Sequence, residues 1–146
     1  MASIFSKIVS GEIPSHKVAE TENCLAFLDV FPLTRGHVLV IPKKEINYLF
    51  DIEDELFTEL HLFAKEIARS IKAAVPCMRI GVAVIGLEVP HAHIHLVPIN
   101  SVGDINFAKE KLKPSKEELE ATAREIREAF LSLRGSGFSP GIIGQE

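Results

Sequence analysis

The apolar positions of this 146-residue chain change period several times, and each change marks an element. Ile4, Phe5 and Ile8 fall at helical spacing within residues 3–9, ahead of the breakers Gly11 and Pro14, which predicts a short N-terminal helix. Three strand candidates follow: residues 17–20, 24–28 (CLAFL) and 38–41 (VLVI), the last β-branched and closed by Pro42. Residues 32–36 (PLTRG) connect the second to the third. Leu56, Leu60, Phe63, Ile67 and Ile71 then form one stripe that Phe57, Ala64 and Ala68 widen. With Asp51 as N-cap, this predicts a helix of about five turns that ends before Pro76. Residues 79–85 (RIGVAVI) read as a buried strand, Gly86 breaks it, and residues 91–98 (HAHIHLVP) alternate as an antiparallel neighbour. A capping box at residues 115–118 (SKEE) opens a last helix with Leu119, Ala123, Ile126, Phe130 and Leu133 on one face. This order predicts an α+β domain on a mainly antiparallel sheet, with a long central helix and a C-terminal helix over residues 115–134.

Composition narrows the class without selecting a function. At 47% hydrophobic, the chain suits one domain with its own core, and residues 135–146, rich in glycine, are expected to form a mobile tail. No apolar run approaches the roughly 20 residues of a membrane helix and no signal pattern opens the chain, so a soluble, cytoplasmic protein with no membrane partner is expected. Sixteen Lys and Arg against 20 Asp and Glu leave a net charge of −4, which argues against polymeric nucleic acid as a partner. Cys24 and Cys77 stand alone, so neither a disulfide framework nor a sulfur-based zinc site is expected.

Histidine is the unusual entry in the composition, because three of the six fall within five residues. In a strand, His91, His93 and His95 share one face with neighbours about 6.6 Å apart, while Ala92, Ile94 and Leu96 face the other way. Three readings fit that row. The imidazoles could simply be satisfied or solvent-facing. They could supply two ligands to zinc or copper, although the strand holds no Asp, Glu or Cys and Glu88 is the only nearby carboxylate. Or they could perform metal-free nucleophilic catalysis, a neutral imidazole attacking phosphorus while protonated neighbours stabilise phosphate oxygens in place of magnesium.

His91-Ala92-His93-Ile94-His95-Leu96-Val97 resembles the His-φ-His-φ-His-φ-φ signature of the histidine triad (HIT) superfamily, φ being apolar. Ile4-Phe5-Ser6-Lys7-Ile8-Val9 with Gly11-Glu12-Ile13-Pro14, then Phe27-Leu28-Asp29-Val30, then Gly36-His37-Val38-Leu39-Val40-Ile41-Pro42-Lys43 resemble further family segments in the family's order. The match covers residues 3–99 of a single domain at 1–134 and is closest to the bacterial and archaeal Hint-like nucleotide hydrolase branch. The resemblance implies a HIT-like fold, paired as a homodimer with one continuous sheet. It also implies a metal-independent nucleotide hydrolase or transferase, similar to an adenosine 5'-monophosphoramidase, that needs no cofactor.

By position, the resemblance makes His93 the nucleophile towards the α-phosphate of a purine nucleotide conjugate. His91 and His95 flank it, and His37 joins them. Ile4, Phe5, Ile8, Phe27, Val30 and Leu39 would surround the base, Asp29 would accept the ribose hydroxyls, and Leu28, Glu88 and Val89 would complete the substrate site. Two positions depart from the family pattern: Leu87 stands where many members have a phosphate-binding Gln, and Glu45 replaces a second histidine after Pro-Lys-Lys. Glu88 stays within the family's range but places a carboxylate beside the phosphate. Dinucleoside polyphosphate hydrolysis, and a weakly active nucleotide-binding or signalling module, are the alternative functions.

Overall fold

The computed structural model describes residues 2–135. Its elements are α1 (Ile4–Ser10), β1 (Lys17–Glu20), β2 (Cys24–Leu28), β3 (Val38–Pro42), α2 (Asp54–Ala74), β4 (Arg79–Ala83), β5 (Ile94–Ile99) and α3 (Lys116–Gly135). All strand pairs are antiparallel, in the order β1-β2-β3-β5-β4. The expected tail falls outside the described residues apart from Gly135, which ends α3. No helix among the described residues is long and apolar enough to cross a membrane.

Alternation in the strands divides the interior between two faces. Cys24, Ala26 and Leu28 of β2, Val38 and Val40 of β3, and Ile94 and Leu96 of β5 point to the side covered by α2 and α3. There they meet Leu60, Phe63, Ile67 and Ile71 of α2 and Ala123, Ile126 and Phe130 of α3, the stripes that the helical periodicity predicts. Leu25 and Phe27 of β2 with Leu39 and Ile41 of β3 point the other way, where Phe5 and Ile8 of α1 cover them. That second face is covered by only one short helix, and the histidines lie on it.

Three boundaries differ from the sequence reading by two residues or more. The last strand begins at Ile94, not His91, because the backbone N–H groups of His91 and Ala92 donate to Val89 O and Ile46 O instead of a ladder partner. The preceding strand ends at Ala83, whose partner is His95, so Val84 and Ile85 belong to the connecting loop. Asp51 does not cap α2. It closes a 3-10 turn over Leu49–Asp51 that buries Leu49 and Ile52, and Glu53 takes the cap position with Asp54 and Glu55 in the first turn.

After β5 the chain folds back over the open face. A Cβ on Gly81 of β4 would lie 2.9 Å from Ile105 Cδ1, so the missing side chain lets a 3-10 turn over Val102–Ile105 seat on the sheet. Leu112 N–H donates to Pro32 O at 2.9 Å and anchors the far end of the segment. Residues 106–111 are thereby carried past the imidazoles.

Candidate active site

His37 enters the site from the turn before β3. Gly36, at a φ of 94°, makes the left-handed step that other residues resist, and His37 N–H donates to Thr34 O. Leu33 N–H donates to His37 Nδ1 at 3.0 Å, so the ring's single proton in the neutral form sits on Nε2. Nε2–H in turn donates to His95 Nδ1 at 3.0 Å, which leaves the proton of His95 on its own Nε2. A backbone amide thus fixes two tautomers in series.

The other two imidazoles are fixed by carbonyls. His91 Nε2–H donates to Pro42 O at 2.8 Å, and its Nδ1 accepts from Ser3 Oγ at 2.9 Å. Glu45 Oε1 accepts from Ser3 N–H at 2.8 Å and from the Ser6 hydroxyl, tying the start of α1 to this ring. His93 Nδ1–H donates to His91 O at 2.8 Å, which leaves the lone pair of this cleft-lining ring on Nε2. Among the four, only His93 is arranged as a nucleophile.

Burial sets the charge. It pushes His37 down to about 3, with His95 and Lys111 adding to the effect, and His95 down to about 4, with His93 adding. His91 is lowered as well, chiefly by burial, against the pull of Pro42 O and Glu45. Near neutral pH these three rings are therefore neutral N–H donors, which corrects the expectation of imidazolium groups in the role of magnesium.

The cleft beside His93 holds about 230 Å³ between the imidazoles, the loop at residues 85–89, and Phe107 with Lys111. The Phe5 ring stands edge-on to His93 at 5.0 Å and to Phe27 at 5.6 Å. Phe107 stands edge-on to His95 at 4.7 Å and marks the opposite end. Asp29 sits between, its Oδ1 accepting from Phe31 N–H at 2.9 Å and its Oδ2 lying 3.8 Å from His37 Nε2; burial raises its carboxyl. A larger cavity, about 420 Å³, opens beyond Asp29 and His37 against α3, but no residue of the triad lines it.

The residues expected around a base separate into groups. Phe5, Ile8, Phe27 and Leu39 form one buried cluster with Val89 packed on it. Ile4 and Val30 are outside that cluster, 50% and 46% exposed. The Leu28 side chain turns into the helix-side core, so it faces away from the imidazoles. Glu88 is exposed on the loop that walls the cleft. Phe107 and Lys111 escaped the sequence reading, since a lone Phe and a Lys in a charged run between elements show no periodicity.

Asp29, His37 and His95 bring three ligand atoms within 4.8 Å of one another. Their chemistry is nevertheless wrong for a cation. Coordination through His37 Nε2 would move its proton to Nδ1, where it would face the Leu33 N–H, donor against donor.

A sequence model of the HIT domain matches residues 10–102. The chain is 40% identical to the protein called hit of Bacillus subtilis over 108 residues, 69% of this chain and 73% of that protein. It is 41% identical to the adenosine 5'-monophosphoramidase of Saccharomyces cerevisiae over 98 residues, 66% of this chain and 62% of that one. Among solved structures, a hypothetical histidine triad nucleotide-binding protein of Sulfolobus tokodaii superposes with a TM-score of 0.77 at 28% identity, covering 89% of this chain and 93% of that one. Fold and site define an α+β protein built around a histidine row. The chain belongs to the HIT family.

Proposed function

We propose that the protein is a nucleotide hydrolase or transferase that acts on nucleoside 5'-phosphoramidates or related conjugates through a nucleotidyl-His93 intermediate. The observation that carries this reading is the locked tautomer of His93, with Nδ1–H held by the His91 carbonyl and the lone pair left on Nε2 of a ring that lines the cleft. Val89, which lines the cleft, packs on the buried Phe5, Phe27 and Leu39 and gives that side an apolar backing for a base, and the Asp29 carboxylate suits a ribose diol. The name of the Saccharomyces cerevisiae relative, an adenosine 5'-monophosphoramidase, supports the same chemistry.

In the first step His93 Nε2 bonds to the α-phosphorus. The leaving atom departs with the electron pair of its bond to phosphorus and takes a proton from solvent. In the second, the oxygen of water bonds to phosphorus, the phosphorus–nitrogen bond returns its pair to Nε2, and the water proton leaves to solvent. The neutral N–H of His95 stabilises charge on the phosphoryl oxygens in both. Brief exposure to adenosine 5'-phosphoramidate should add one adenylyl group to the intact mass, absent in His93→Ala; undiminished turnover by His93→Ala overturns the assignment.

The reading includes a second copy of the chain. β4 is an edge strand whose outer side has no partner among the described residues, with Val82 63% and Met78 68% exposed, a surface suited to pairing with its counterpart. Light scattering should give twice the 16.1 kDa chain mass, and a monomer rejects it.

A further inference from the structure

The cleft has a charge problem that its imidazoles do not solve. A nucleotide brings at least one negative charge, yet His37, His91 and His95 are tied as neutral donors and acceptors, Leu87 offers no side-chain donor, and Asp29 and Glu88 add carboxylates. Among the residues lining the cleft, Lys111 alone has a cationic side chain. Its ammonium donates to Phe107 O at 2.6 Å and to Lys109 O at 3.3 Å, which uses two of its three N–H groups.

The segment that bears it is held on both sides. Lys109 N–H donates to Asn106 O, Ala108 N–H to Asn106 Oδ1, and Leu112 N–H to Pro32 O. The lysine therefore enters from the end of the cleft marked by Phe107 and His95, away from Phe5 and Phe27. The rings run Phe5, His93, His95, Phe107 with neighbouring centroids 5.0, 4.9 and 4.7 Å apart, so with the base at the Phe5 end the part of the cleft beyond His95, which Lys111 lines, is left to the rest of the substrate.

We propose that Lys111 is a specificity-determining residue that binds the substrate's anionic group and favours nucleotide conjugates whose leaving group bears a carboxylate or a further phosphate. This rests on the hydrolase reading for its substrate and on the cleft geometry for its charge. A charge-assisted contact of this kind is worth roughly tenfold or more in discrimination.

The test compares wild type, Lys111→Met and Lys111→Arg on two probes, adenosine 5'-phosphoramidate and the adenosine 5'-phosphoryl conjugate of glutamate linked through nitrogen. Binding of AMP and ADP is measured alongside. Lys111→Met should lower the kcat/KM ratio of the glutamate conjugate to the phosphoramidate about tenfold and erase the preference for ADP over AMP, while Lys111→Arg keeps both. Equal losses on both probes, with the ADP to AMP ratio unmoved, indicate a structural role and overturn the proposal. If Lys111→Met shifts the binding ratio while no His93-dependent turnover exists, the hydrolase reading falls and the anion site stands.

Discussion

The two faces of the sheet are built from the same strands, one residue out of step, and they do opposite work. On the helix side β5 contributes Ile94 and Leu96 to a dry core closed by two long helices. On the other stand His95 of β5 and His93, just before the strand, each buried and each engaged by a ring or a backbone carbonyl. Burial alone therefore does not separate scaffold from chemistry here. What separates them is the chemistry of the partner: apolar atoms on one face, directional donors and acceptors on the other.

This contrast predicts that substitutions one position apart at the start of β5 should dissociate activity from stability. His93→Ala should abolish turnover, a loss on the order of 1,000-fold or more, with a melting temperature close to wild type. Ile94→Ala, its neighbour, should cost about 2–4 kcal/mol of stability while the molecules that remain folded keep their turnover. Urea unfolding together with initial rates below the transition checks both. A destabilised, active His93→Ala would dissolve the division of labour.

The division of faces was legible in the sequence because a period of two is a local property. HAHIHLV announces both the core row and the imidazole row, and the stripe from Leu56 to Ile71 announces what covers one of them. What was not legible depends on distant partners. Whether residue 91 joins a ladder is decided by Ile46 O, 45 positions upstream, which takes the N–H of Ala92. Phe107 and Lys111 reach the cleft because Ile105 fits the gap left by Gly81 and Leu112 binds Pro32 O, contacts no window of neighbouring residues encodes. Asp51 looked like a cap, but burying Leu49 and Ile52 placed it in the turn before the helix.

The polar face should also respond to pH in its own way. His37 and His95 are held down to about 3 and about 4, below the roughly 6.5 of an unfolded histidine. Above that value both are neutral in either state and contribute no pH dependence. As pH falls from 6.5 to 4 the unfolded chain takes up protons that the folded site refuses, so stability is lost across that window. Glu66, pushed up to about 7 by burial, has the opposite sign over pH 7 to 4.5, so the diagnostic is a difference. Wild type should lose melting temperature on acidification more steeply than a His37→Asn, His95→Asn double variant; parallel curves would mean the rings protonate freely when folded.

The smallest expected effect separates hydrogen-bond direction from charge at the edge of that face. Ser3 Oγ donates to His91 Nδ1 and also accepts from Ser6 N–H as the cap of α1, while Glu45 accepts from Ser3 N–H and Ser6. Ser3→Ala removes the donor that fixes the His91 ring, and through the carbonyl of His91 it loosens the tautomer of His93, so kcat should fall about tenfold, with a cap loss of about 1 kcal/mol. Glu45→Gln keeps an acceptor oxygen in place and removes only the charge of an exposed group. Its kcat should stay within about threefold of wild type, since exposed charge is well screened. If instead Glu45→Gln proves the more damaging and Ser3→Ala the milder, the row is tuned by charge and not by the direction of its hydrogen bonds, and the order of the two rates, read at one pH and one salt concentration, decides between them.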